Sequence, residues 1–178
     1  MPAMPLTRIA PGRLRVVVVP ALVVYALAFI PFMLVGDPSE MVRLQLAGSE
    51  SQAREIVGGW SAAETTDMAF LQGVDELHPL AYGLLLAAGA VWAGRRLRGR
   101  AAVWGPAVAW AAVAAVLFDL AENVGMIVMI RGDVDAPVPA ITTAFAVAKF
   151  ALFVVVVPYV VAGLVARLRS GAGSESSG

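Results

Sequence analysis

Four apolar runs divide this chain, reading Val16 to Val35, Asp75 to Gly94, Ala101 to Ile130 and Ile141 to Ala166. About twenty such residues suffice to cross a bilayer. The pattern predicts an all-α fold: an integral membrane four-helix bundle forming one transmembrane domain over residues 1–169, with a helical external loop between spans one and two. Pro20 and Pro31 predict kinks in the first span. Its basic start and apolar middle also suit a signal peptide, but the exit Leu34-Val35-Gly36-Asp37 lacks a small-x-small cleavage site. The Gly- and Ser-rich tail, residues 170–178, predicts disorder.

The long segment between spans one and two carries its own helix signals. Asp37-Pro38-Ser39-Glu40 is a helix start, and Met41, Leu44 and Ala47 continue at helical spacing. Ser61-x-x-Glu64 forms a capping box, followed by Met68, Leu71 and Val74. The second helix is expected to run into span two, with a bend at His78-Pro79. These helices either pack at the lipid headgroups or form a lid over the bundle mouth.

Charge orients the pattern. Arg8, Arg13 and Arg15 precede span one, Arg95, Arg96, Arg98 and Arg100 link spans two and three, and Arg167 and Arg169 follow span four. Four spans put all three blocks on one side, and the positive-inside rule makes that side the cytoplasm, with both termini there. The acidic stretch from Asp37 to Asp67 and the loop Arg131-Gly132-Asp133-Val134-Asp135 face the other way. Composition agrees: 60% of the 178 residues are hydrophobic, which places the chain among multi-pass cell-membrane proteins. The absence of cysteine excludes disulfides, thiol catalysis and cysteine-ligated metals. Nucleic-acid binding is not supported, because orientation accounts for the arginine blocks. Abundant Ala, Val, Gly and Arg with one Lys suggest a high-GC bacterial source.

The candidate chemistry lies inside the spans. Asp119-Leu120-Ala121-Glu122-Asn123 places two carboxyls and an amide in the third run, and charge at membrane depth is costly enough to mark a function by default. At 1.5 Å per residue, Asp119 lies roughly 27 Å from Ala101, Lys149 about 26 Å from Ala166, His78 about 24 Å and Asp75 about 29 Å from Gly94. Three helices thus bring ionisable groups to one level in the outer half of the bilayer. Asp119, Glu122, Asn123 and Met126 share a stripe, as do Asp75, His78 and Tyr82, whereas Glu76 points elsewhere. Lys149 needs an anion, with Glu122 or Asp119 the natural partner.

Such a cluster is either a structural ion pair holding helices in register or a site for acid/base work, since desolvation brings a carboxyl toward the neutral range. His78 either bonds a neighbouring carboxylate or acts in catalysis. Metal binding by Asp75, His78, Asp119 and Glu122 is chemically conceivable, but Lys149 would repel the cation, and no metal or cofactor is expected. Tyr25, Tyr82 and Tyr159 read as core packing or as a cavity lining.

The pattern Asp75-x-x-x-Pro79-x-x-Tyr82, an arginine turn, Phe118-Asp119-x-x-Glu122-Asn123 and a lone Lys149 resembles uncharacterised small four-span bacterial membrane proteins. That resemblance implies topology and the polar layer. In its intramembrane carboxyls the chain is also similar to the sterol-isomerase-like (EXPERA) proteins and membrane-integral terpene cyclases, an architectural likeness with no motif matched residue by residue. The leading expectation is an isomerase or cyclase acting on a lipophilic, isoprenoid-type substrate amid membrane lipids. Its catalytic candidates are Glu122, Asp119, Asn123, Lys149, Asp75 and His78. The alternatives are a small transporter or proton pathway, for which a homo-oligomer would supply missing helices, and a helper subunit with a structural Glu–Lys layer.

Overall fold

The computed structural model describes residues 4–10 and 13–175. The described residues form helices, turns and loops without strands. A 3₁₀ turn, Pro5–Arg8, precedes α1 (Leu14–Leu34), α2 (Pro38–Gln45), α3 (Glu50–Gly58), α4 (Ala62–Asp75), α5 (Leu77–Gly94), α6 (Arg100–Val103), α7 (Gly105–Ile130) and α8 (Val138–Glu175). Four of these units are long and apolar enough to cross a membrane: α1, α4 continued by α5, α7 and α8.

Local chemistry explains the short helices. The Asp37 side chain accepts from Ser39 N at 2.9 Å and Pro38 opens α2, because proline's missing N–H is no loss in the first turn. The Ser61–Glu64 capping box opens α4, with Ser61 N donating to Glu64 Oε2 at 2.7 Å. α3, not expected as a separate helix, starts where the Ser49 side chain accepts from Gln52 N.

Two span starts differ from expectation. The interruption between α4 and α5 falls at Glu76, two residues before His78. Pro79 sits in the first turn of α5, where it cannot donate back to the Asp75 carbonyl, so the break forms ahead of it. The third span begins at Gly105, because Pro106 can open a helix but not extend α6. Asp119 is therefore roughly 21 Å from the start of α7, not 27 Å. It stands eleven residues before Ile130, and Lys149 stands eleven residues after Val138. The pair thus lies just on the Ile130 side of the middle of α7, closer to mid-helix than the distance from Ala101 implied. At the C-terminus α8 continues to Glu175, past the start of the tail for which disorder was expected. Propagating an existing helix costs far less than nucleating one. Residues 176–178 lie outside the described residues.

α7 packs on both α5 and α8, and α5 also packs on α8 and α1. α1 lies against α4 and α5, with at most slight packing on α8. Helix approach is set by small residues. A Cβ at Gly125 would clash with Thr142 Oγ1, so α7 and α8 come together there only because the position is glycine.

Two apolar clusters close the ends. Met41, Leu44, Met68, Leu71, Met126 and Met129 bury against one another where α2 and α4 meet α7. At the arginine end, Ala87, Ala90, Val108, Ala109, Ala112 and Val156 join α5, α7 and α8. There Arg95 Nη2 donates to the carbonyls of Thr7 (2.9 Å) and Ile9 (3.0 Å), and the Tyr159 hydroxyl donates to Ala101 O at 2.8 Å. Tyr159 is thus a tie between α8 and the arginine turn.

Candidate functional site

Antiparallel α7 and α8 bring Asp119, Glu122 and Lys149 into one buried cluster. The Lys149 ammonium donates to Asp119 Oδ1 at 2.7 Å and stands 2.6 Å from Glu122 Oε2. Both carboxyls the sequence offered as alternatives therefore face the lysine. Asp119 is 4% exposed, Glu122 1% and Lys149 7%, and an unpaired charge so deeply buried would be costly. The second Asp119 oxygen accepts the Tyr82 hydroxyl at 2.5 Å. Tyr82 is therefore part of the cluster, and of the two roles expected for it, core packing or cavity lining, it takes the second. Its place one turn after His78, and two after Asp75, was the available signal.

The break between α4 and α5 positions a second pair. His78 Nδ1 donates to Asp75 Oδ1 across 3.1 Å, which leaves Nε2 as an acceptor if the ring is neutral. That Nε2 is buried and has no hydrogen-bond partner among the described residues. Three aromatic rings surround the imidazole, with centroids at 5.3 Å for Tyr25, 5.1 Å for Phe32 and 6.5 Å for Phe29, all edge-on.

These groups line a cavity of about 290 Å³ between α1, α5 and α8. Asp75, His78, Tyr82, Asp119 and Lys149 form its polar wall, and Tyr25, Phe29, Phe32, Phe150 and Phe153 its apolar one. Pro38, Met41, Val42 and Gln45 of α2 roof it. α2 is fastened by Thr143, whose hydroxyl donates to Gln45 O at 2.9 Å and accepts Gly48 N at 2.9 Å. An apolar cavity of about 330 Å³ continues toward the arginine end, lined by Leu85, Leu86 and Val157 and sharing Tyr25, Tyr82 and Phe153. Because α1 and α8 barely pack together, this double cavity is flanked sideways by half-exposed Phe29 and Phe150.

Two expected site residues stand elsewhere. Glu122 and Asn123 are buried but do not line the cavity; Glu122 backs onto Lys149 from the α7 side. The Asn123 amide lies against Glu76, which is half-buried and does not line the cavity. Asn123 Nδ2 and both amide atoms of Gln72 are buried without a hydrogen-bond partner among the described residues. Gln72 escaped the sequence reading because an isolated amide in an amphipathic helix carries no distinguishing pattern. No group of three or more acidic or histidine side chains among the described residues is arranged to hold a metal ion.

Comparison of the chain with protein families, curated proteins and solved structures finds no match.

Proposed function

We propose that this protein is an integral membrane enzyme that moves a proton on a lipophilic, isoprenoid-type substrate, shifting a double bond or closing a ring. One observation carries the reading: a cleft walled by proton-handling side chains adjoins an apolar one large enough for a hydrocarbon chain, the two sharing Tyr25, Tyr82 and Phe153. Four membrane-crossing helices, with the arginine blocks and both termini in the cytoplasm, would place this cavity within the bilayer and open it sideways to lipid. A site covered on one side by α2 and walled by aromatic side chains suits reactive intermediates that water would quench.

In the proposed step, His78 in its protonated form, held by Asp75, delivers the Nε2 proton to one carbon of a double bond, leaving a carbocation beside a neutral imidazole. The Asp119 carboxylate then accepts a proton from a neighbouring carbon, a new double bond forms, and that proton returns to His78 to reset the site. If a second double bond attacks the cation first, the same proton loss yields a ring. The proton gained equals the proton lost, so no oxidant or reductant is required. Lys149 fixes Asp119, while Glu122 and Asn123 are positioning residues behind it.

The test is deuterium uptake. Protein in nanodiscs, incubated in D₂O with polyprenyl lipids of a bacterial extract, should place deuterium on one lipid class by mass spectrometry. Asp119→Asn and His78→Gln should each abolish the exchange. A folded wild type that exchanges nothing, or variants that match it, would overturn the proposal.

A second reading rests on Glu122, ion-paired to Lys149, together with the buried amides of Asn123 and Gln72, whose Nδ2 and both amide atoms respectively have no hydrogen-bond partner among the described residues; these groups could carry a proton pathway. Proton flux through liposomes without any lipid substrate, lost in Glu122→Gln, would favour it.

A further inference from the structure

The same cavity has a charge and a lining that its proposed chemistry does not by itself require. Two carboxyls line it, on Asp75 and Asp119, and a third, on Glu122, stands behind Lys149, against one ammonium. That ammonium is already matched twice, at 2.7 Å and 2.6 Å, by Asp119 and Glu122. Asp75, bonded to His78 rather than to the ammonium, faces a space bounded by six aromatic rings, those of Tyr25, Phe29, Phe32, Tyr82, Phe150 and Phe153. One ring already performs the task such a lining suits: Lys149 Nζ stands 5.0 Å from the Phe150 centroid. Acidic groups set among aromatic faces attract an organic cation and repel a phosphate or sulfate. The buried, unpartnered Nε2 of His78 adds an acceptor in the wall, which a cationic N–H could meet.

From this we infer that the cavity binds a lipophilic molecule carrying one positive charge, held between Asp75, His78 and the aromatic rings, with its chain in the apolar chamber lined by Leu85, Leu86 and Val157. The inference rests on the cleft being the substrate site, and it specifies the charge that site is built to hold. A protonated long-chain amine would then imitate the carbocation of the proposed reaction, and mimics of a high-energy intermediate bind more tightly than neutral relatives.

The experiment measures binding, not turnover. The full chain in maltoside detergent is titrated calorimetrically with dodecyldimethylamine near neutral pH, where the amine is protonated, and with dodecanol and dodecyl sulfate. The amine should bind saturably, one per chain, at least tenfold more tightly than dodecanol, and the sulfate should not saturate. Asp75→Asn should weaken the amine tenfold or more. Phe150→Leu, at a half-exposed position, should weaken it severalfold while leaving the unfolding midpoint close to that of the wild type. Equal affinity for the alcohol or the sulfate, or amine affinity unchanged in both variants, overturns the inference and leaves the proton-transfer reading standing. Absence of saturable binding by all three amphiphiles overturns the inference and the cleft as substrate site together. Saturable amine binding without deuterium exchange supports the inference while removing the proposed enzyme.

Discussion

Lys149 Nζ stands 2.7 Å from Asp119 Oδ1, joining the middle of α7 to α8 in a contact almost wholly out of solvent. Because Glu122 stands at 2.6 Å from the same ammonium, one cation serves two carboxyls. Removing it leaves both uncompensated, and breaking a buried pair from one side costs about 3–5 kcal/mol. Lys149→Met should therefore lower the thermal unfolding midpoint in detergent markedly, and adding Asp119→Asn with Glu122→Gln should restore most of it. A Lys149→Met protein as stable as the wild type would show that the pair does not hold the helices.

Tyr82 gives a separable effect. Tyr82→Phe deletes the hydroxyl that Asp119 accepts but keeps the ring packed 5.2 Å from Phe153. A hydrogen bond to a charged acceptor is worth about 1.5–3 kcal/mol. The variant should remain folded with a modest fall in unfolding midpoint, while deuterium exchange falls by at least tenfold. Loss of stability with exchange intact would make Tyr82 a structural residue.

Gly125 tests the approach of α7 to α8. Gly125→Ala drives a methyl into Thr142 Oγ1 and should destabilise by about 1–3 kcal/mol, the usual range for overpacking. Gly125→Ala combined with Thr142→Ala opens room and should recover part of that loss in the same melting assay. Additive losses in the double variant would contradict the steric account.

The acidic end supplies a pH effect. Arg54 bonds Glu50 at 3.0 Å and Asp135 at 2.8 Å, tying α3 to the loop before α8. The Arg54 side chain, and then the Ala136 backbone N–H, hold the Glu50 carboxyl below its ordinary value of 4.5. A lowered carboxylate pKa contributes stability that is whole above the ordinary value and is lost as pH falls through the folded one. Hydrogen exchange in α3 should therefore be flat from pH 7 to pH 5, after correction for intrinsic rates, and accelerate below 4.5. Arg54→Gln should reduce that dependence, leaving the part that the Ala136 N–H supplies. The effect should be small, because the pair is solvent-exposed.

The sequence by itself determined what depends on composition and short-range periodicity. Apolar runs long enough to span identify four helices whatever their packing, and Asp37, Ser61 and Glu64 cap helices through contacts only two or three residues away. The stripe of Asp119, Glu122, Asn123 and Met126 is likewise fixed by helical spacing, and all four side chains are buried. Pro106 and Pro79 were equally visible, but their effect on the span starts depended on which turn of the helix each came to occupy.

Only the tertiary structure decided which groups meet. Lys149 reaches both carboxyls because Gly125 lets α8 close on α7, a contact between residues far apart in the chain. Tyr82 serves as a donor to Asp119 because α5 lies beside α7. Glu122 and Asn123 share their stripe with Asp119, yet only Asp119 lines the cavity. The reason is geometric: periodicity specifies the face of a single helix, whereas a cavity is the space that several helices leave between them.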